Sequence, residues 1–124
     1  MGARAVVFVV DDDEDIRGAI EDVLSLDGHA VIGFQNGEQA ISALAVTTPD
    51  LVVTDLAMPV LDGVALIRKI RSSDRTRQIP VCVVSADVAR IPDGVVAVKK
   101  PFEVAQLRET VRVALGMSAS TSWA

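Results

Sequence analysis

The chain has 124 residues, with 17 acidic against 12 basic side chains, a net charge of −5, and half of its residues hydrophobic. That length and apolar content suit one compact domain and exclude extensive disorder, while the acidic balance argues against a generic nucleic-acid binder, whose affinity comes from neutralising phosphates. A lone cysteine, Cys82, excludes a disulfide framework and points to a reducing compartment, and the apolar runs fall far short of the ~20 residues of a bilayer span.

Along the chain, short Val-rich runs alternate with amphipathic stretches. Ala5 to Val10 is a continuous apolar run, the pattern of a strand buried on both faces. Ile16, Ala19, Ile20, Val23 and Leu24 then repeat at helical spacing up to Gly28, a C-terminal capping residue. Ala30 to Phe34 is a second strand, and Asn36 with Gln39 three residues on forms a capping-box variant before Ala40, Ile41 and Leu44. The third strand, Leu51 to Thr54, stops at Asp55 and a loop with Pro59, Asp62 and Gly63. A helix carrying Leu66, Ile67 and Ile70 follows, closed by the polar stretch Ser72 to Gln78. Val81 to Val84 and Val95 to Val98 are the last strands. A final helix follows Pro101, with Val104, Leu107, Val111 and Leu115 on one face. The expected domain is residues 1–117, and the small, polar segment 118–124 is expected to fray as a flexible tail.

Strands alternating with helices over short loops predict βαβ units around a parallel sheet, with helices on both faces. Ligands in such folds sit beyond the carboxyl ends of the strands. Strand one ends in Asp11, Asp12 and Asp13, strand three at Asp55, strand four at Ser85, and strand five at Lys99 and Lys100. Close carboxylates repel by about 1 to 4 kcal/mol per pair, so the cluster calls for a cation. A hard divalent ion held by oxygens answers that need, and Mg²⁺ keeps waters and accepts a phosphate oxygen. Asp13, Glu14 and Asp15 by themselves fit a solvated helix N-terminus favoured by the dipole. Their odd spacing is not an EF-hand, because Ile16 stands where that loop requires glycine.

Taken together, Val9-Val10-Asp11-Asp12, Asp55-Leu56-Ala57-Met58-Pro59 with Asp62-Gly63, Val84-Ser85-Ala86 and Lys100-Pro101-Phe102 resemble the receiver domains of two-component response regulators, from about Ala5 to Leu115. In extent the chain is similar to the single-domain, chemotaxis-type regulators. The resemblance implies a flavodoxin-like, doubly wound, five-stranded parallel sheet of order 2-1-3-4-5 with flanking helices. It implies that a sensor histidine kinase or histidine phosphotransfer protein donates a phosphoryl group to Asp55, switching the binding of a downstream protein. Carried over by position, Asp12 binds Mg²⁺ (or Mn²⁺) directly, Asp11 acts through an ion-bound water, and Asp55 and the Ala57 backbone carbonyl complete the protein ligands. Ser85 hydrogen-bonds the phosphoryl group and Lys100 pairs with it. The implied protein is a phosphoacceptor rather than an enzyme with a separate substrate, cytoplasmic, and without direct contact to nucleic acid or membrane.

The chain departs from the family between Ser85 and Lys100. Pro92, Asp93 and Gly94 are turn residues, leaving room for about one helical turn near Asp87 to Ile91. The fourth helix is therefore expected to be shortened or absent. Ala97 stands where receivers usually carry an aromatic ring coupled to the switch hydroxyl, so the usual coupling and the usual dimer face are both expected to be missing, and a monomer is expected. A haloacid dehalogenase-type phosphatase would want a second Asp where Ala57 stands. A pseudo-receiver, binding a partner without phosphorylation, fits less well because all the site positions hold competent residues. His29 is expected to serve a turn or strand edge, Cys82 to be a buried thiol, and Arg68, Lys69, Arg71, Arg75 and Arg77 to form a solvated face. No role for Trp123 is readable.

Overall fold

Valine-rich strands without polar alternation require cover on both faces, and the fold supplies it for the three central strands of the sheet. The computed structural model describes residues 5–58, 60–87 and 91–123, with side chains through 116. Its elements are β1 (Val6–Val10), α1 (Glu14–Leu26), β2 (Ala30–Phe34), α2 (Gly37–Leu44), β3 (Leu51–Thr54), α3 (Gly63–Arg71), β4 (Val81–Ser85), β5 (Val96–Lys99) and α4 (Val104–Trp123). The strands form one parallel sheet ordered β2-β1-β3-β4-β5, the doubly wound, flavodoxin-like arrangement expected.

Alternate strand residues feed two separate cores. Val7, Val9, Val53 and Val84 pack with Ile20 and Leu24 of α1 and with Leu107 and Val111 of α4. Phe8, Val10, Val52 and Val83 pack with Leu44 of α2 and with Leu66, Ile67 and Ile70 of α3. Cys82 belongs to the first core, and burial pushes its thiol pKa up to about 12, so it is an inert packing residue.

Local chemistry sets the helix ends. Asp13 caps α1 by accepting from the Asp15 and Ile16 amides, and Asp62 caps α3 by accepting from Ala65. Asn36 accepts from the Gln39 amide at 2.9 Å, while the Gln39 side chain reaches back to the Gln35 amide rather than to the cap residue itself. After α1, Gly28 has φ +94°; its amide donates to the Ser25 carbonyl and that of His29 to Leu24, a Schellman turn that only glycine enters without strain. The His29 ring then accepts from the Ala5 amide, tying this turn to the start of β1.

Three local expectations change. β5 starts at Val96 rather than Val95 and includes Lys99, because the pairing of Ser85 with Lys99 carries the ladder one residue further. Val104 is exposed; the stripe α4 buries is Leu107, Val111 and Ala114, since the helix packs one turn further along. Arg75 is not simply solvated: it donates to the Leu44 carbonyl and to Thr48, closing the C-terminus of α2. The α4 backbone is helical through Trp123. Ser, Ala and Thr are tolerated in a helix, and no proline interrupts the segment.

Between Ser85 and Val96 no helix occurs among the described residues, in keeping with a shortened fourth helix. Most of the single turn expected from Asp87 to Ile91 lies outside the described residues. Beside this connection an open groove of about 470 Å³ is lined by Val64, Ile67, Arg68, Arg71, Ser72 and Pro92.

Candidate functional site

Parallel pairing brings the strand ends to one edge. Thr54 lies opposite Val10, so the residues that follow them, Asp55 and Asp11, emerge side by side. The Asp55 amide donates to the Val10 carbonyl, and the Asp11 amide to Phe34. On the other flank, the Lys100 amide donates to the Ser85 carbonyl at 2.9 Å. The Lys100–Pro101 peptide is cis.

Asp11, Asp12 and Asp55 each present a carboxylate oxygen, and these atoms lie within 4.8 Å of one another. The Lys100 ammonium bridges two of the three carboxylates, donating to Asp11 Oδ2 and Asp55 Oδ2 at 3.0 Å each. Three carboxylates against one ammonium leave two negative charges at this edge. Oxygens around a single Mg²⁺, with bonds of about 2.1 Å, sit at most ~4.2 Å apart, so the all-oxygen donor set suits such an ion, while the 4.8 Å spacing asks the acids to close in slightly or one of them to act through an ion-held water.

The three acids are not equivalent. Asp11 is 1% exposed and both its oxygens are engaged, Oδ1 by the Asp13 amide at 2.9 Å and Oδ2 by Lys100. Burial raises its pKa, opposed by the Asp13 amide and by Lys100. Burial also disfavours the Lys100 ammonium, but Asp55 and Asp11 outweigh it and hold the pKa above the ordinary lysine value. Asp12 is exposed, and its side chain makes no hydrogen bond among the described residues. Asp55 is largely buried, with Oδ1 accepting from the Leu56 amide at 2.7 Å.

Ser85 is 2% exposed and its Oγ accepts from the Asp87 amide at 3.2 Å. It joins the cluster through the backbone of Lys100 rather than by a side-chain contact. Ala57 is exposed on the loop after β3, and its carbonyl accepts no hydrogen bond among the described residues.

Three features of the site escaped the sequence reading. Gly63 packs so close to the loop after β3 that a Cβ there would lie 2.1 Å from the Asp55 carbonyl oxygen. Val60 has φ +71°, a left-handed conformation that is costly for a β-branched residue, placing backbone strain of about 1–3 kcal/mol in the loop that follows Asp55. Arg17 donates to the Asp11 carbonyl at 2.8 Å. Only the Asp62-Gly63 pair, already part of the motif, gave any hint of the first.

A family model described as the response regulator receiver domain matches residues 7–112. The chain belongs to that family. Receiver domains are the signalling modules of two-component systems and interact with histidine kinases or phosphotransfer partners. Among curated relatives of this receiver domain, the transcriptional regulatory protein PrrA of Mycobacterium tuberculosis is 36% identical over 124 aligned residues, covering 94% of this chain and 52% of the relative. The DNA-binding transcriptional regulator NtrC of Escherichia coli is 40% identical over 83 residues, covering 67% of this chain and 17% of the relative. The receiver domain thus spans about half the length of PrrA and less of NtrC. NtrX of Brucella abortus superposes with a TM-score of 0.87 at 29% identity, over 97% of this chain and 29% of that one. The chemotaxis response regulator CheY4 of Vibrio cholerae gives 0.82 at 22% identity, over 90% and 99%, a likeness of fold. No helix among the described residues is long and apolar enough to cross a membrane.

Proposed function

We propose that this receiver domain, residues 1–117, is a Mg²⁺-dependent phosphoacceptor whose nucleophile is Asp55, charged by a sensor histidine kinase or a histidine phosphotransfer protein. The observation that carries this reading is the convergence of Asp11, Asp12 and Asp55 within 4.8 Å, with Lys100 bridging Asp11 and Asp55. Asp12, exposed and without a side-chain hydrogen bond among the described residues, is suited to direct ligation. Asp11, with both oxygens occupied, is suited to acting through an ion-bound water. Asp55 and the Ala57 carbonyl complete the protein ligands. A bound Mg²⁺ (or Mn²⁺) supplies positive charge to offset the phosphoryl oxygens against the acids.

In the reaction an Asp55 carboxylate oxygen forms the new bond to phosphorus while the P–N bond of the donor histidine breaks, its electron pair leaving on the imidazole. Lys100 offsets the charge of nucleophile and phosphoryl group, and the buried Ser85 hydroxyl donates to a phosphoryl oxygen. Positioning and electrostatics account for most of the rate. The direct test is incubation with acetyl phosphate and Mg²⁺, read by intact mass. One phosphoryl group per chain is expected, and none with EDTA; undiminished labelling in EDTA contradicts the proposal.

Ala57 offers no side-chain hydrogen bond to hold a water in line with the acyl phosphate, so self-dephosphorylation is expected to be slow. Ala57→Asn should speed loss of the phosphoryl group about tenfold, a barrier change of about 1.4 kcal/mol. A decay rate in that variant no faster than in the parent removes this explanation.

The phosphorylated state is expected to act on the Ser85 to Gly94 segment directly, because Ala97 carries no ring to swing inward, and a downstream protein is expected to read this segment with α4. Amide hydrogen exchange with and without beryllofluoride and Mg²⁺ should change between Ser85 and Gly94. Unchanged exchange there, with ligand binding confirmed separately, counts against it. With the usual dimer face curtailed, the phosphorylated chain is expected to stay monomeric in sedimentation.

A further inference from the structure

Arg17 lies on α1, one turn past the acidic cluster, where a solvated arginine would be unremarkable. Its side chain is only 13% exposed. The guanidinium Nη1 donates to the Asp11 main-chain carbonyl at 2.8 Å, and Nε lies 3.9 Å from Glu21 Oε2, one turn further along the helix. Both side chains lie across β2 at Gly33. A Cβ at Gly33 would stand 1.7 Å from Glu21 Oε2 and 3.2 Å from Arg17 Cδ, so the missing side chain makes the space they fill.

The Asp11 carbonyl belongs to the peptide plane that continues into Asp12. Asp12 is the one acid of the cluster with no hydrogen bond to its own side chain among the described residues. The backbone that carries it therefore sets the position of its Cβ and so what its carboxylate can reach. One side of this turn is fixed by the Asp13 amide on Asp11 Oδ1, and the other by Arg17 on the Asp11 carbonyl. Glu21 offsets the charge of Arg17, so a cation stands beside a cation-binding cluster at little cost in repulsion.

We infer that Arg17, seated over Gly33 and partnered by Glu21, is a positioning residue that holds the Asp11–Asp12 peptide so that Asp12 faces the metal position. This rests on the proposed reading of the acids as an Mg²⁺ site. Outer-shell partners of metal ligands typically contribute about tenfold or more in affinity. A mere neighbouring positive charge would do the opposite, because its removal tightens cation binding.

The test is titration of the 124-residue chain with MgCl₂, followed by backbone amide chemical shifts in ¹⁵N-correlated spectra, which also show whether each variant is folded. Arg17→Met keeps the apolar stem and removes the donor; it should weaken Mg²⁺ binding about tenfold, with Arg17→Lys recovering part of the loss. Gly33→Ala leaves Arg17 in the sequence but displaces Glu21 and crowds the arginine, and should weaken binding two- to threefold or more, roughly in proportion to the lost geometry. If Arg17→Met does not fold, Gly33→Ala carries the test, and unchanged affinity in it overturns the inference. Unchanged or tighter binding in a folded Arg17→Met also overturns it, the first marking a purely structural role and the second a purely electrostatic one. Asp12→Ala separates this from the underlying reading: loss of binding there with no effect at Arg17 overturns the positioning role alone. Parent-like binding in Asp12→Ala overturns both.

Discussion

Asp55→Asn should take up no phosphoryl group from acetyl phosphate while keeping the parent's fold. The amide has the shape of the carboxylate and can still accept from the Leu56 amide at the position of Oδ1. It has neither the charge nor the nucleophilic lone pair that attack on phosphorus requires. The site also loses one of its three negative charges, so Mg²⁺ binding should weaken rather than vanish, with Asp11 and Asp12 still in place. Removing that charge relieves carboxylate repulsion of about 1 kcal/mol or more when no metal is bound, but it also gives up the Lys100 ion pair at Asp55 Oδ2, so the variant should melt close to the parent. Intact mass and a thermal melt settle both points. Labelling equal to the parent's would place the phosphoryl group on another residue.

The second large effect is structural. Gly63→Ala puts a Cβ 2.1 Å from the Asp55 carbonyl oxygen and 2.7 Å from Leu56 Cα, and backbone cannot swing aside as a flexible side chain can. Either α3 withdraws or the β3 end moves. The Gly63 amide donates to the Leu56 carbonyl at 2.8 Å, so the same shift strains a bond that holds the loop after Asp55. We expect a stability loss of about 2–4 kcal/mol and a fall in labelling rate of roughly tenfold or more in whatever remains folded, since small misplacements at a reacting centre are costly. Gly18→Ala is the control. Nothing lies within 4 Å of a Cβ there, and alanine inside α1 should stabilise by about 0.5–1 kcal/mol. A Gly63→Ala protein with parent-like melting and labelling would contradict the close packing on which this rests.

How much of this is legible in the chain itself depends on the range of the interaction. The strands read to within a residue because uninterrupted apolar runs mark them, the three central ones buried on both faces, and the start of α2 because Asn36 satisfies the Gln39 amide three residues away. The site residues were legible one by one for a topological reason: in a parallel sheet every strand end that follows an apolar run falls on the same edge. Asp11, Asp55, Ser85 and Lys100 could therefore be collected from the sequence before any distance was known.

Other features needed the packed structure. Lys100 bonds to carboxylates 45 and 89 residues away. Which acids it bridges depends on strand register and side-chain reach, neither of which is encoded locally. Arg17 reads as a surface residue until α1 is laid against β2 and Gly33 is found beneath it. Val104 fits the apolar stripe by spacing, yet it is exposed because α4 meets the sheet only from Leu107 onward. Composition, apolar period and capping chemistry determine the elements and their order, since they act within a few residues. The contacts that orient the acids, neutralise them and hold their backbone join distant segments, and only the tertiary structure decides them, because their energy exists only after the sheet has closed those distances.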